Sequence, residues 1–145
     1  MEIEVTGIDT ISAKVNSLSD DIRKKLRTTI DDVIQLLETR VVDNKLNGGA
    51  LNRRSGRLYR SVKSEVNDTS TSITGRVYTS GVPYARIHEY GGTIRTRLGT
   101  GTKPPRKAGK ATINMPMRSY MRSSLQELRG QIIEQISGAV GEVIE

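Results

Sequence analysis

Few residues in this 145-residue chain have the type and spacing to do chemistry. His88-Glu89 is half of the pair that a helical zinc protease uses, two histidines holding the metal beside a glutamate base. The chain has a single histidine, so the ligand set cannot close. Gly99-Thr100-Gly101-Thr102-Lys103 has the glycine content of a phosphate loop. It lacks the terminal glycine-lysine-serine/threonine and has no apolar strand before it to lead into a helix N-terminus that would cradle phosphate. Ser55, Ser61, Ser119, Ser123 and Ser124 have no glycine-flanked elbow to expose a nucleophile. With no cysteine there is no disulfide, thiolate metal site or thiol nucleophile, and a reducing compartment fits that composition. The expectation is a protein that is not an enzyme and takes no cofactor and no metal. A hydrolase centred on His88 and Glu89 is a minor rival.

Charge carries more information. The net charge is +7, but it is segregated. Residues 44–64 hold six bases and no acid, and residues 90–126 hold eight bases and no acid. Those windows carry +14, which leaves 9 bases against 16 acids, or −7, for the rest. Acidic helical surfaces joined by basic connections call for a polyanion, an acidic face on another copy, or both. Glu89 is the sole acid between 69 and 126 and has Arg86, Arg95 and Arg97 near it in sequence, so it is expected to form a structural ion pair.

The elements that position these groups follow from the apolar spacing. Ile3 and Val5 alternate with polar neighbours up to Gly7, giving a short strand. Ile8, Ile11, Val15 and Leu18 then fall three and four apart and predict a short helix near 9–16. The stripe from Ile22 to Val41 predicts a long helix near 19–45, with Ser17 and Asp20 as its cap and Asn47-Gly48-Gly49 as its stop. Stretches 58–67 and 71–79, separated by Asn67-Asp68-Thr69-Ser70, predict a hairpin. Pro83 and Gly91-Gly92 bracket a helical turn or two, with Tyr84 and Ile87 or His88 on its buried side. Residues 93–98 and 111–115 predict another hairpin, whose connection (GTGTKPPRKAGK) is too polar for a core and reads as a long basic loop. Leu125 to Val143 predicts a last helix near 119–142.

The fold class is therefore α+β: an antiparallel sheet with a long N-terminal helix and a C-terminal helix packed on it, plus the basic hairpin loop at about 95–112. Length favours one domain over 1–145, with a modest aliphatic core because Phe and Trp are absent. No run of about 20 apolar residues is present to cross a membrane and the first residues are acidic, so a soluble, unexported chain without a membrane partner is expected.

Three stretches in fixed order carry a resemblance. They are Gly56-Arg57-Leu58-Tyr59-Arg60-Ser61-Val62, Pro83-Tyr84-Ala85-Arg86-Ile87-His88-Glu89-Tyr90-Gly91, and Pro116-Met117-Arg118-Ser119-Tyr120-Met121-Arg122-Ser123-Ser124-Leu125. Across roughly 8–137 the chain resembles the small neck, tail-completion or head-tail joining (minor tail component) proteins of long-tailed bacteriophages. That family has a glycine-x-leucine…serine turn, matched by Gly56, Leu58 and Ser61, and a tyrosine-alanine…glutamate-aromatic-glycine segment, matched by Tyr84, Ala85, Glu89, Tyr90 and Gly91. Its arginine-proline-phenylalanine segment is matched by Arg118 and Tyr120, with Ser119 in the proline's place and tyrosine for phenylalanine. The resemblance implies a virion protein of the tail or neck, assembled in the host bacterial cytoplasm. Its copies would form a six-fold ring that completes the tail, meets other neck and tail proteins, and lets genome DNA pass through its lumen. Arg95, Arg97, Lys103, Arg106, Lys107 and Lys110 are then expected to make subunit, partner or DNA-backbone contacts. A nonspecific nucleic-acid-binding protein is the alternative reading of the same charges, although no aromatic interleaving for base stacking accompanies them.

Overall fold

The computed structural model describes residues 2–6, 10–14, 20–51, 56–95 and 112–144. Helices and antiparallel sheets are both present, and the class is α+β. The larger sheet has four strands in the order β1-β2-β4-β3: β1 is Glu2–Thr6, β2 Thr10–Lys14, β3 Val62–Asp68 and β4 Ser72–Thr79. β5 (Gly92–Arg95) and β6 (Thr112–Met115) form a separate two-stranded ribbon. The helices are α1 (Asp20–Thr39), a short α2 (Arg57–Ser61), α3 (Ala85–Tyr90) and α4 (Met121–Ile144).

The helix expected near 9–16 is a strand over Thr10–Lys14. Thr10-Ile11-Ser12-Ala13-Lys14 also alternates polar and apolar, and Ile11 and Ala13 are both fully buried, as a pleat with one core face requires. Backbone pairing decides between the two periods. β2 pairs antiparallel with β1 from Glu2↔Lys14 to Thr6↔Thr10 and with β4 from Thr10↔Arg76 to Lys14↔Ser72. β1 has β2 as its neighbour in the sheet, so a helix at β2 would strip β1 of its hydrogen bonds. Gly7, Ile8, Val15, Ser17 and Leu18 lie outside the described residues.

The remaining differences are local. The long helix is α-helical to Thr39 and then widens into a π-helical turn, Arg40–Lys45, closed by the Leu46 N–H donating to the Val41 carbonyl at 3.0 Å. The first hairpin strand starts at Val62 because residues 57–61 coil into α2, where the Arg60 N–H reaches the Gly56 carbonyl and the Ser61 hydroxyl reaches that of Leu58. The second hairpin and the last helix stand where expected, with 96–98 and 111 outside the described residues.

α1 packs against β3 and β4 and also against α4. Its stripe of Leu26, Ile30, Val33, Ile34 and Leu37 is buried, as are Ile73 and Val77 on β4 and Leu125, Leu128, Ile132 and Ile136 on α4. Charges fasten the outside of this core: Arg23 holds Asp68 at the β3–β4 turn, and Arg40 and Lys45 both hold Glu127 on α4.

Helix and sheet approach most closely at Gly75. A Cβ built there falls 2.3 Å from Ile34 Cγ1 and 3.0 Å from Ile30 Cγ2, inside van der Waals contact. Gly75→Ala should therefore push α1 off the sheet and cost about 1–3 kcal/mol of stability, the usual range for an overpacked core. A urea midpoint unchanged from the parent chain would contradict this packing.

Candidate functional site

The second and third sequence motifs meet at one carboxylate. α4 begins at Met121 after the extended segment Pro116–Ser119, and its first N–H groups have no partner within the helix. Glu89, near the end of α3 and only 5% exposed, supplies the missing acceptors. Its Oε2 accepts from the N–H groups of Tyr120 and Met121, each at 2.9 Å. Its Oε1 accepts from the Arg122 N–H at 2.9 Å and from the Ser119 hydroxyl at 2.7 Å. A negative side chain thus sits on the positive end of a helix of 24 residues, where dipole and hydrogen bonds both favour it. The Ser123 hydroxyl donates to the Ser119 carbonyl at 2.6 Å and tightens the same turn.

The surrounding contacts bind α3 to this segment. The Tyr120 hydroxyl donates to the Ala85 carbonyl at 3.2 Å, and the Arg118 N–H donates to the His88 carbonyl at 2.9 Å. Burial, followed by the charge of Glu89, pushes the Tyr120 phenol up to about 12, so it remains a neutral donor. Gly91 closes α3 with φ +69°, and a Cβ there would lie 2.8 Å from the Met117 backbone nitrogen, so a side chain is excluded on both counts. The first motif, at α2, is bonded to the segment that precedes α3. Gly56 opens that turn with φ +71° and Leu58 is half-buried, while the Ser80 N–H donates to the Ser61 carbonyl at 3.0 Å and Arg57 to the Gly81 carbonyl at 3.2 Å.

Two expectations about α3 are corrected here. The ion pair expected of Glu89 with Arg86, Arg95 or Arg97 is replaced by the helix cap, because four donors at the start of α4 occupy both carboxylate oxygens. Arg97 itself lies outside the described residues. The buried side of α3 is Ala85 and Glu89, four apart, while Tyr84 is 37% exposed and Ile87 and His88 are half-buried. The α3 turn faces Tyr120 and the α4 start with its small and acidic residues, which leaves the tyrosines outside.

Tyr84, Tyr90, Ile113 and Met117 are all large and exposed, and all stand on α3, the ribbon or the segment before α4. Arg86, Arg95 and Arg118 are exposed on the same elements and Arg122 on the first turn of α4, and among the described residues none of these guanidinium groups forms an ion pair. The Arg86 guanidinium lies 5.9 Å from the centre of the Tyr90 ring. A crease of about 180 Å³ runs between Thr79, Arg86, Tyr90 and Met121, below the roughly 300 Å³ at which small-molecule pockets begin. The exposed side chains here are apolar and basic. Lys103, Arg106, Lys107 and Lys110 lie outside the described residues. Among those described, no group of three His, Cys, Asp or Glu side chains could hold a metal ion, and no helix is long and apolar enough to cross a membrane. Sequence reasoning passed over Met117, Ile113 and the capping role of Ser119. The pairing of Ser119 with Ser123, one helical turn apart, was a local sign of the last.

Removing the cap strands several N–H groups at once. Glu89→Ala should cost on the order of 3 kcal/mol, and Glu89→Gln less, since its amide keeps one acceptor oxygen. Urea titration of both variants measures this, and equal stability of the two would contradict a cap that works through acceptor oxygens. His88 adds a pH dependence. Its Nδ1 is buried without a hydrogen bond, and burial followed by the Arg118 charge holds the imidazole below its ordinary 6.5. The folded chain thus disfavours the proton more than the unfolded chain does. Stability is complete above 6.5 and is lost as pH falls from there through the lowered folded value. The urea midpoint should drop as the pH is lowered below 6.5, and His88→Gln should flatten that change.

No curated protein and no solved structure matches this sequence. A match to residues 2–135, nearly the whole chain, does exist at the level of protein families: the chain belongs to the family of unknown function DUF6441.

Proposed function

We propose that this chain is a structural subunit of a tailed-phage particle, assembling with copies of itself into a ring at the junction of tail and neck. There it completes the tail and joins it to the head. The observation that carries this reading is the meeting of the second and third motif segments at Glu89. Glu89 is turned inward onto α4, while Tyr84, Tyr90 and Met117 stay exposed on the same segments as Arg86, Arg118 and Arg122, none of which has an ion partner among the described residues. Exposed aromatic, methionine and arginine side chains are the residue types that protein interfaces favour. The ribbon β5–β6 leads from this surface into a connection whose sequence holds Arg97, Lys103, Arg106, Lys107 and Lys110 and no acid. A ring requires each copy to offer two different patches, and a chain with separate basic and acidic regions has them. Other neck and tail proteins would meet the faces of that ring. Genome DNA passing through the lumen would need only phosphate contacts, for which sequence specificity is unnecessary.

Electron microscopy of particles made without the chain should show tails of uncontrolled length or finished tails unattached to heads. Joint reversal of Lys103, Arg106, Lys107 and Lys110 to Glu should leave the circular dichroism spectrum unchanged and block joining. Normal infectious particles from that variant would remove the basic connection from the mechanism. Filter binding over a salt series separates assembly from nucleic-acid binding as the main role. A dedicated DNA binder holds DNA at physiological salt and releases it steeply as salt rises. This chain should hold free DNA weakly throughout.

A further inference from the structure

β3 is an edge of the larger sheet, hydrogen-bonded to β4 alone in the order β1-β2-β4-β3. In an antiparallel pair, opposite residues exchange both backbone bonds at every second position and point those groups outward at the others. The β3–β4 pair fixes which positions are which. The Ser80 N–H donates to the Ser61 carbonyl at 3.0 Å and the Thr69 N–H to the Ser72 carbonyl at 2.8 Å, one at each end of the unbroken register from Val62↔Thr79 to Asp68↔Ile73. The bonded positions of β3 are therefore the odd ones, and the N–H and C=O groups of Val62, Ser64 and Val66 point away from β4. No hydrogen bond from another described element reaches them. An edge in this state is a template for a further strand.

The side chains along this edge are complementary to their own reversal. Val62 is buried and Val66 partly buried on the face that meets α1, where the Ser64 hydroxyl also donates to Glu38. Lys63 and Glu65 alternate with them and are exposed on the opposite face. Lys63 forms no ion pair among the described residues. Glu65 holds Arg76 through Oε1 at 2.6 Å, is 47% exposed, and keeps Oε2 for a second base. Reversed about Ser64, the strand sets Val62 against Val66 and Lys63 against Glu65. Reversed about Lys63 or Glu65 it sets like charges together, and about Val62 or Val66 the match of Lys63 with Glu65 is lost. Registers between these would oppose outward backbone groups to inward ones. Backbone and charge thus agree on one register, and its partner is an identical strand.

We propose that β3 pairs antiparallel with β3 of a second copy of this chain, centred on Ser64, so that the larger sheets of both copies become continuous across a two-fold axis. Ser64 exchanges N–H···O=C bonds with its counterpart, and Val62 exchanges them with Val66 of the other copy. Lys63 meets Glu65 of the other copy on both sides of the axis, at the non-hydrogen-bonded positions where cross-strand side chains stand closest. The axis is perpendicular to the sheet, so α1 of each copy lies on the same side and the valines carry the apolar face across the seam. Such a contact is isologous and ends at a pair of copies, whereas a ring is built from different patches. The inference therefore does not rest on the phage reading.

Charge reversal in complementary chains tests the register. Sedimentation equilibrium of the purified full chain should show reversible dimerisation. Lys63→Glu and Glu65→Lys should each weaken it by about tenfold or more, because both matched pairs become repulsive. An equal mixture of those variants should dimerise as a heterodimer, since every charge at the seam then meets its opposite. Ser64→Pro removes an outward N–H and leaves the β3–β4 ladder intact, a position at which edge strands accept proline. It should abolish the dimer with an unchanged circular dichroism spectrum, while Ser64→Ala should retain it. If the proline variant unfolds, the charge variants decide alone. A parent chain that stays monomeric overturns the proposal. Association that neither reversal weakens, or a mixture that binds no more tightly than either variant by itself, overturns it as well.

Discussion

The hydrogen bonds between Glu89 and the start of α4 are the constraint on which the functional surface depends. α4 supplies a large part of the buried aliphatic surface, and its first turn follows directly from the ribbon through Pro116–Ser119. A helix is commonly capped by a residue immediately before it. Here the cap comes from about thirty residues earlier, so α3, the ribbon's return and the helix start are fastened at a single point. The Tyr120 hydroxyl on the Ala85 carbonyl and the Arg118 N–H on the His88 carbonyl reinforce that point from both sides. The cost of burying a carboxylate is met by four donors and a helix dipole, which leaves Glu89 nothing to offer a substrate.

This explains why so basic a region contains a single acid. Were Glu89 on the surface, it would neutralise one of Arg86, Arg95 or Arg118 and lower the positive potential of this region. Turned inward, it stabilises the fold while the arginines outside keep their charge. The same turn of α3 puts small Ala85 inward and Tyr84 and Tyr90 outward. The buried cap and the exposed aromatic side are thus two faces of one six-residue helix.

Legibility in the sequence followed how local each determinant was. α1, α4 and the β3–β4 hairpin were readable because their apolar period or turn residues lie within a short window. β2 was not. Ile8, Ile11, Val15 and Leu18 satisfy a helical spacing while Ile11 and Ala13 satisfy a strand, and pairing with β4, some sixty residues away, decides between them. Gly75 is similar, since only the Ile30 and Ile34 side chains brought onto it explain the missing Cβ. At the candidate site two of the motif segments meet, but the role of Glu89 there was hidden. A carboxylate among arginines reads as an ion pair until the helix start that needs it is placed beside it.

The distribution of unpaired charge then bears on why the ribbon is built as it is. Two strands alone cannot bury an apolar face, and an exposed isoleucine on a free protein invites nonspecific association. Arg95 lies on the opposite, polar face of the same ribbon and disfavours close approach of other basic ribbons, because like charges would meet. Apolar area supplies attraction without direction, and the charges supply direction without much energy.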